Sequence, residues 1–204
     1  MIRLYGMARS NYHCLVKACL LEKGMSFEEI DTAPSQDTDY LAKSPMGKVP
    51  CIGTEQGFIS ESFAIADYLD HIHPHSPLLP TNPFARAKAI ELIRHLELDV
   101  ELVARRCLPE AFFGRPVSEE TRKATQKDLA RGMAAIGRLY RCSPYAMGAD
   151  FSLADLYTYY TFGLASAIVQ KVFAEDLLAP LPQVRTLMNT LASRDSIREV
   201  EGAR

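Results

Sequence analysis

A proline-rich segment divides the chain into two parts with different sequence patterns. The stretch HPHSPLLPTNP, residues 73–83, holds four prolines and has the composition of a linker. Before it, short apolar runs alternate with helical patterns, whereas the part after it contains long amphipathic helical patterns and no convincing strand. We therefore predict an α/β domain at residues 1–74, a linker at 75–84 and an all-helical bundle domain at 85–204.

The first part has a definite order of elements. IRLYG and MSFEEID have strand composition, and NYHCLVKACLLEKG between them has helical apolar spacing with Gly24 where a helix would end. VPCIG and FISES flank TEQG, which has the length and the glycine of a hairpin loop. SFAIADYLDHI is helical up to Pro74. The order β-α-β, then a hairpin and a helix, is that of a thioredoxin-like domain.

Charge and cysteine content narrow the class of protein. The formal net charge of −2 weighs against a nucleic-acid binder, which usually carries a basic excess. The odd number of cysteines and the absence of a C-x-x-C pair fit neither a disulfide framework nor a zinc site, so we expect reduced thiols in a cytoplasmic protein without a metal. No signal-peptide pattern and no run of membrane-spanning length is present. The cysteines are Cys14, Cys19, Cys51, Cys107 and Cys142.

Ser10 stands at the junction of the first strand and the first helix. A serine in this position is commonly the N-cap of the helix that follows. Alternatively, its hydroxyl points at a ligand held over the helix N-terminus, where free N–H groups and the helix dipole favour anions. A thiol placed there would ionise more readily. The sequence leaves both roles open.

Pro50 interrupts GKVPCIG, a stretch that otherwise has strand composition. Because proline cannot donate to a sheet ladder, one interpretation is an edge-strand proline. The other is a cis Val49-Pro50 bond, a form that proteins usually keep for a specific turn. A cis bond would direct the N–H and C=O of Val49 away from the sheet.

Glu61 and Ser62 lead into the last helix of the first domain. Ser62 is a plausible N-cap, and a carboxylate is favourable near the positive end of a helix. The same two groups would also receive an amino-acid zwitterion. In that hypothesis the hydroxyl and the helix N–H groups bind the α-carboxylate, while Glu61 pairs with the ammonium group.

In combination these features resemble the cytosolic glutathione S-transferase family, and its serine-type classes in particular. The resemblance spans nearly the whole chain: ARSNYHC after the first strand, SPMGKVPCI with its Val-Pro, the Glu-Ser pair, the proline-rich linker, and FSLADLY in the helical part. It implies a glutathione transferase, with glutathione as co-substrate and no metal. The helical part also carries a capping pattern in FSLADLY, with Ser152 as N-cap and Asp155 three residues later.

The resemblance also implies roles for individual residues. Ser10 would donate a hydrogen bond to the glutathione thiolate, with Asn11 as a second candidate donor. Val49 before the cis-proline Pro50 would pair with the cysteinyl part. Further residues implied in binding are Lys48 at the glycyl carboxylate, Glu61 and Ser62 at the γ-glutamyl end, and Asp99 at the γ-glutamyl ammonium of glutathione bound to the partner subunit.

Departures from the cysteine-type relatives leave other activities open. Those relatives place a reactive cysteine in the first loop, where this chain has Ser10. Cys14 lies one helical turn further on and is expected in the core, since free cysteine is among the most buried residue types. Cys51 follows Pro50 closely. A glutathione-dependent thiol reductase or isomerase, and a non-enzymatic glutathione-binding or regulatory protein, are therefore the alternatives.

The resemblance further implies a homodimer that acts on a small electrophile in detoxification. We expect the electrophile to bind between the domains, near the first loop and near Arg105, Arg106 and Phe112. The sequence does not identify the electrophile.

Overall fold

The computed structural model describes residues 1–203 and divides the chain into two compact units. The first unit comprises Met1–Leu79 and the C-terminal segment that begins at Ser193, and the second comprises Pro80–Ala192. Among the described residues, no helix combines the length and the apolar character needed to cross a membrane.

The first unit is built on a four-stranded mixed sheet. Its strands are β1 (Ile2–Gly6), β2 (Phe27–Asp31), β3 (Cys51–Thr54) and β4 (Gly57–Ser60). Their order in the sheet is β2-β1-β3-β4, with β1 parallel to β2 and antiparallel to β3, and with β3 antiparallel to β4. The central strand β1 has four buried residues out of five, as expected of a strand covered on both faces.

Four helices accompany this sheet, and three of them were predicted from sequence. The first, α1 (Asn11–Glu22), ends next to Gly24, whose φ of +62° is the left-handed conformation that glycine adopts readily. The short helix lies in the polar stretch TAPSQDTDYLAKSP, residues 32–45, for which the sequence predicts a loop with about one turn of helix. The helices are α1 (Asn11–Glu22), α2 (Thr38–Leu41), α3 (Ser62–Ile72) and, at the C-terminus, α10 (Asp195–Gly202).

A buried ion pair joins the end of α1 to α3. Lys23 Nζ lies 2.8 Å from Asp70 Oδ1 and also donates to the carbonyl of Ser76. Asp70 accepts two further hydrogen bonds, from the main-chain N–H groups of Leu78 and Leu79. Both charges thus have the additional hydrogen bonds that a buried ion pair requires. The contacts hold the first part of the predicted linker against the α/β unit.

The helix α10 belongs to the first unit, whereas the sequence boundary at residues 85–204 assigned it to the helical domain. The physical reason is a polar contact with α1. Glu22 accepts hydrogen bonds from Arg194 Nε at 2.9 Å and from Arg194 Nη2 at 2.6 Å, and Ser196 also donates to it. The thioredoxin-like prediction for the N-terminal half is confirmed, and the C-terminal segment is an addition to it.

The second unit is helical throughout its regular elements. Its longest helices are α7 (Glu119–Gly137), which begins at the N-cap Ser118, and α8 (Leu153–Phe173). The others are α4 (Pro83–His95), α5 (Leu102–Ala104), α6 (Leu108–Phe113) and α9 (Pro182–Ala192), with a π-helical turn at Leu96–Glu101 and a 3₁₀ turn at Arg105–Cys107.

The capping pattern that begins α8 is present as predicted. The N–H of Ser152 donates to Asp155 Oδ2 at 2.9 Å, and the other oxygen of Asp155 accepts from the N–H of Ala146 at 2.7 Å. Asp155 is fully buried, so its carboxylate fixes both the helix start and the preceding loop.

Candidate functional site

Three loop segments adjoin the sheet at the same end of its strands. Tyr5 is registered with Cys51, and Cys51 with Ser60, so these residues form one row across β1, β3 and β4. The first loop follows β1, Val49 and Pro50 precede β3, and Glu61 and Ser62 follow β4. With strands about 4.8 Å apart, the row is about 10 Å long, close to the length of an extended tripeptide. The topology therefore brings most of the residues singled out in sequence to one end of the α/β unit.

Ser10 is the N-cap of α1. Its hydroxyl oxygen accepts a hydrogen bond from the N–H of His13 at 3.3 Å. A serine hydroxyl has two lone pairs and one proton, so the cap uses an acceptor site and leaves the proton available. The hydrogen bonds of residues 1–203 include none in which the Ser10 hydroxyl donates. The two roles proposed for Ser10 are therefore compatible in one residue.

The residues next to Ser10 are buried. Asn11 is 6% exposed and is held by contacts of its own. Cys14 is 1% exposed, and its thiol donates to the carbonyl of Ala8 at 3.2 Å. The thiol thus braces the first loop from within the core, as the sequence interpretation of Cys14 expected.

The segment before β3 is fixed by hydroxyl groups. The Val49-Pro50 peptide bond is cis, and the paired residues of β3 begin only at Cys51. The carbonyl of Lys48 accepts hydrogen bonds from Ser44 Oγ at 2.8 Å and from Tyr40 Oη at 3.2 Å. Lys48 itself is exposed and Val49 is partly exposed, so both lie at the surface beside this anchored carbonyl.

Cys51 is fully buried at the start of β3. Burial raises the pKa of its thiol, against a smaller opposite effect of a hydrogen bond with Tyr40. Because the thiolate is the reactive form, a buried thiol with a raised pKa is a poor nucleophile.

Glu61 and Ser62 begin α3 with an unusual backbone. Glu61 occupies the N-cap position with φ 69° and ψ 118°, and its side chain makes no capping hydrogen bond. A non-glycine residue with positive φ is uncommon and is found most often where the surroundings fix it for a function. Ser62 is the first helical residue and is 6% exposed, so the expectation that Ser62 is itself the N-cap is wrong by one position.

Asp99 lies in the second unit, within the π-helical turn. Its Oδ2 atom is 2.6 Å from Nδ1 of His95, one turn earlier. The side chain of Asp99 is about half exposed, at 47%. It remains a candidate only for the role that the resemblance implied.

Sequence reasoning missed the residues that support the site. Tyr40 and Ser44 lie in a polar stretch interpreted as loop, yet both hydroxyls bind the carbonyl of Lys48. A local signal was present, since the hydroxyl of Ser44 acts only four residues ahead in the chain. The positive φ of Glu61 has no signal in residue type. No group of metal-ligating side chains is found within residues 1–203.

Comparisons with known proteins identify the class that this fold and site define. The profile of the glutathione S-transferase N-terminal domain matches residues 4–77. The chain is 39% identical over 200 residues to a glutathione S-transferase of Pseudomonas putida, which covers 98% of this chain and 91% of that protein. The chain belongs to the glutathione S-transferase family.

Two further similarities bear on function. The chain is 30% identical over 147 residues to the stringent starvation protein A homolog of Haemophilus ducreyi, covering 72% of this chain and 66% of that protein. A solved structure of maleylacetoacetate isomerase from Anaeromyxobacter dehalogenans matches with a TM-score of 0.74 and 25% identity, covering 98% of this chain and 90% of that one. The predicted fold class, a thioredoxin-like domain followed by helices, is confirmed.

Proposed function

We propose that the protein is a glutathione transferase with a serine-type active site, in which enzyme-bound glutathione thiolate attacks a small electrophile to form a thioether. The observation that carries the proposal is the position of Ser10. Its hydroxyl caps α1 with an oxygen lone pair and keeps its proton available. Ser10 also follows β1 at the end of the sheet where the other candidate residues lie.

Ser10 would activate the thiol by hydrogen bonding to the thiolate. The N-terminus of α1, a helix of 12 residues, would contribute through its free N–H groups and its dipole. If the thiol pKa falls from about 8.5 to about 6.5, the thiolate gains about 2.7 kcal/mol relative to the thiol. Most bound glutathione would then be ionised at neutral pH. Asn11 is a second candidate donor.

The other residues of the row would hold the peptide. Glu61 would pair with the γ-glutamyl ammonium, and Ser62 with the α-carboxylate at the N-terminus of α3. The main chain of Val49, next to Pro50, would bind the cysteinyl part, and Lys48 would reach the glycyl carboxylate. The span of about 10 Å between the first and the third segment supports this arrangement.

Replacing Ser10 by alanine tests the proposal. We expect Ser10→Ala to lower turnover by about tenfold or more, as when one donor to a developing or stabilised anion is removed, with little change in glutathione affinity. The thiolate absorbance of the glutathione complex should titrate at higher pH in the variant. Initial rates and an ultraviolet pH titration measure both effects.

A matched control separates activation from capping. Ser118 caps α7 in the same way, accepting from the N–H of Thr121 at 3.1 Å, but lies in the second unit. Ser118→Ala should lose a comparable cap, about 1 kcal/mol of stability, and retain full turnover. Unchanged conjugation by Ser10→Ala would remove Ser10 from the mechanism.

An isomerase or thiol reductase on the same fold is the alternative enzyme. The similarity to a maleylacetoacetate isomerase supports the isomerase form, which would use the same activated thiolate. The burial of Cys14 and Cys51 argues against a reductase that uses either thiol. Accumulation of protein glutathionylated on Cys14 or Cys51 would instead favour the reductase.

A regulatory protein that retains a glutathione-like pocket is the alternative of another class. The similarity to stringent starvation protein A homologs is the observation that favours it. Calorimetric titration with glutathione distinguishes the two classes. Absence of binding at millimolar concentration would favour the regulatory protein, and binding with turnover of an electrophile would favour the transferase.

We further propose a cytoplasmic homodimer with a role in detoxification. In the dimer Asp99 would approach the γ-glutamyl ammonium of glutathione bound to the partner. The electrophile would bind near Arg105, Arg106 and Phe112. Light scattering measures the mass, which should be twice the 22.7 kDa of one chain.

A further inference from the structure

A groove of about 490 Å³ runs along one face of α7 in the second unit. Its other wall is formed by the end of α8 and by residues 174–181, which follow that helix. The floor is apolar and includes the buried side chains of Leu129, Met133, Leu177 and Leu181. The volume falls within the range of small-molecule sites in proteins, about 300–1,000 Å³.

Contacts between α7 and the opposite wall mark both ends of the groove. At one end, Gln126 Nε2 donates to Glu175 Oε1 at 2.8 Å. At the other, a Cβ added to Gly137 would lie only 2.9 Å from a methyl carbon of Leu181, which shows how closely that leucine approaches the helix. The two ends are eleven residues apart on α7, or about 16 Å at the helical rise per residue.

The opposite wall is held in place by its own hydrogen bonds. Ala174 ends α8 in a left-handed conformation with φ 56°, which turns the chain back along α7. Asp176 accepts from the N–H of Leu178 at 3.1 Å and pairs with Arg185 at 2.7 Å. These contacts fix the position of the wall opposite α7.

The rim of the groove is acidic. Within the described part of the chain its lining includes the carboxylates of Glu175 and Asp176 and no lysine, arginine or histidine. The charge of Asp176 is balanced by Arg185, whereas the partner of Glu175 is the neutral amide of Gln126. Within the described residues the exposed carboxylate of Glu175 thus has no cationic partner, and it lies beside an apolar floor.

We propose that this groove is a second binding site, separate from the glutathione residues, for a small apolar molecule that carries one ammonium group. The ring or alkyl part lies on Leu129, Met133 and Leu181. The ammonium group lies at Glu175. The lining of the groove shares no residue with the glutathione candidates, so the inference does not rest on the proposed transferase activity.

Dansylcadaverine tests this assignment, because it joins a polarity-sensitive naphthalene fluorophore to an alkylammonium group. The full-length protein should bind it with a saturable rise in fluorescence. Dansylglycine, which carries a carboxylate on the same fluorophore, should bind at least about threefold more weakly, the ratio expected for one partly exposed charge pair.

Variants locate the site. Ala134 is exposed on the α7 face that lines the groove, and Ala134→Phe should fill part of it and weaken dansylcadaverine about tenfold or more. Ala124 is exposed on the same helix outside the groove, so Ala124→Phe should leave binding unchanged. Glu175→Gln should bring the ratio of the affinities for dansylcadaverine and dansylglycine to near one.

Glutathione-dependent turnover should be equal in all three variants and in the parent protein. Equal dansylcadaverine affinity in Ala134→Phe and in the parent would overturn the site, and tighter binding of dansylglycine would overturn the ligand class. A third outcome would assign the groove to a second copy of the chain instead. In that case the parent protein would not bind the probe, and light scattering would show a change of oligomeric state in Ala134→Phe.

Discussion

His13 lies three residues after Ser10, and its side chain links α1 to the sheet. Its side chain is 1% exposed, and Nε2 donates to Glu29 Oε1 at 2.9 Å. The other ring nitrogen, Nδ1, is buried without a hydrogen-bond partner among the described residues and faces Gly6, where an added Cβ would lie 2.1 Å away. The fold therefore accepts the neutral imidazole, whereas protonation at Nδ1 would bury an unpaired donor.

This environment predicts a pH dependence of stability. Burial lowers the pKa of His13 below its ordinary 6.5, a shift that Lys17 increases and that Glu29 and Asp31 oppose. A folded-state pKa below the unfolded value means that the unfolded chain binds the proton first. The free energy of unfolding should therefore decrease as pH falls below 6.5.

Denaturation of a His13→Gln variant at several pH values between about 7 and 5 measures this contribution. Glutamine can still donate to Glu29 but takes up no proton, so the decrease in unfolding free energy with acid should be smaller in the variant. His71→Gln, at an exposed histidine of α3, is the control and should follow the parent. Parallel curves for His13→Gln and the parent would contradict the assignment.

At the scale of single residues, the sequence singles out candidate side chains but not how they are held. Ser10 and Glu61 could be named as candidates because their types and order match a known pattern. The unpaired Nδ1 of His13 and the positive φ of Glu61 could not, because both depend on backbone positions that only the folded sheet defines. The shift of Ser62 from the cap to the first helical position has the same origin.

The π-helical turn Leu96–Glu101 is the element that departs most from the predicted helical pattern. Helix α7 packs directly on it at Gly132. A Cβ added to Gly132 would lie 2.2 Å from the carbonyl oxygen of Asp99, a backbone atom that cannot move aside alone. The close approach of the two backbones therefore requires glycine at this position.

A pair of glycine substitutions tests that packing. Gly132→Ala should lower the free energy of unfolding by about 1–3 kcal/mol, as expected for overpacking. Gly163 lies within α8 with no atom within 4 Å of an added Cβ, so Gly163→Ala should raise it by about 0.5–1 kcal/mol through helix propensity. Urea denaturation measures both. Equal effects of the two substitutions would show that backbone contact at Gly132 is unimportant.

At the scale of elements, the sequence predicts what local patterns encode. The β-α-β order, the hairpin, the start of α8 at Ser152 and the end of α1 at Gly24 all follow from periodicity, capping and turn residues. The π-helical turn does not follow, because LELDVE has ordinary helical composition and its geometry is set by packing against α7 and α8. Tertiary contact overrides local propensity there.

At the scale of the whole molecule, the chain returns to its first unit after building the second. The helix α10 packs against α1, so the first and last parts of the chain form one unit. Local sequence patterns cannot predict this return, because it depends on a contact between residues more than 170 positions apart.

Glu22 of α1 accepts the hydrogen bonds from the C-terminal segment. Its side chain is 12% exposed. Burial opposes ionisation of Glu22, but hydrogen bonds from Arg194 and Ser196 outweigh it, so the pKa is lowered below 4.5. Its contribution to stability is therefore present above the ordinary carboxyl pKa and is lost as pH falls through the lower folded value.

We expect Glu22→Gln to lower the free energy of unfolding at neutral pH by about 1.5–3 kcal/mol, the range for hydrogen bonds to a charged group. Glu28→Gln, at an exposed carboxylate of β2, is the control and should change it by less than about 0.5 kcal/mol. Because Arg194 is the direct partner, Arg194→Ala combined with Glu22→Gln should cost less than the sum of the single changes. Additive effects would show that the two side chains act separately. Hydrogen exchange shows where the loss of stability lies. If the C-terminal segment stabilises the helix that begins at Ser10, exchange in Glu22→Gln should be faster only at the amides of α1 and α10.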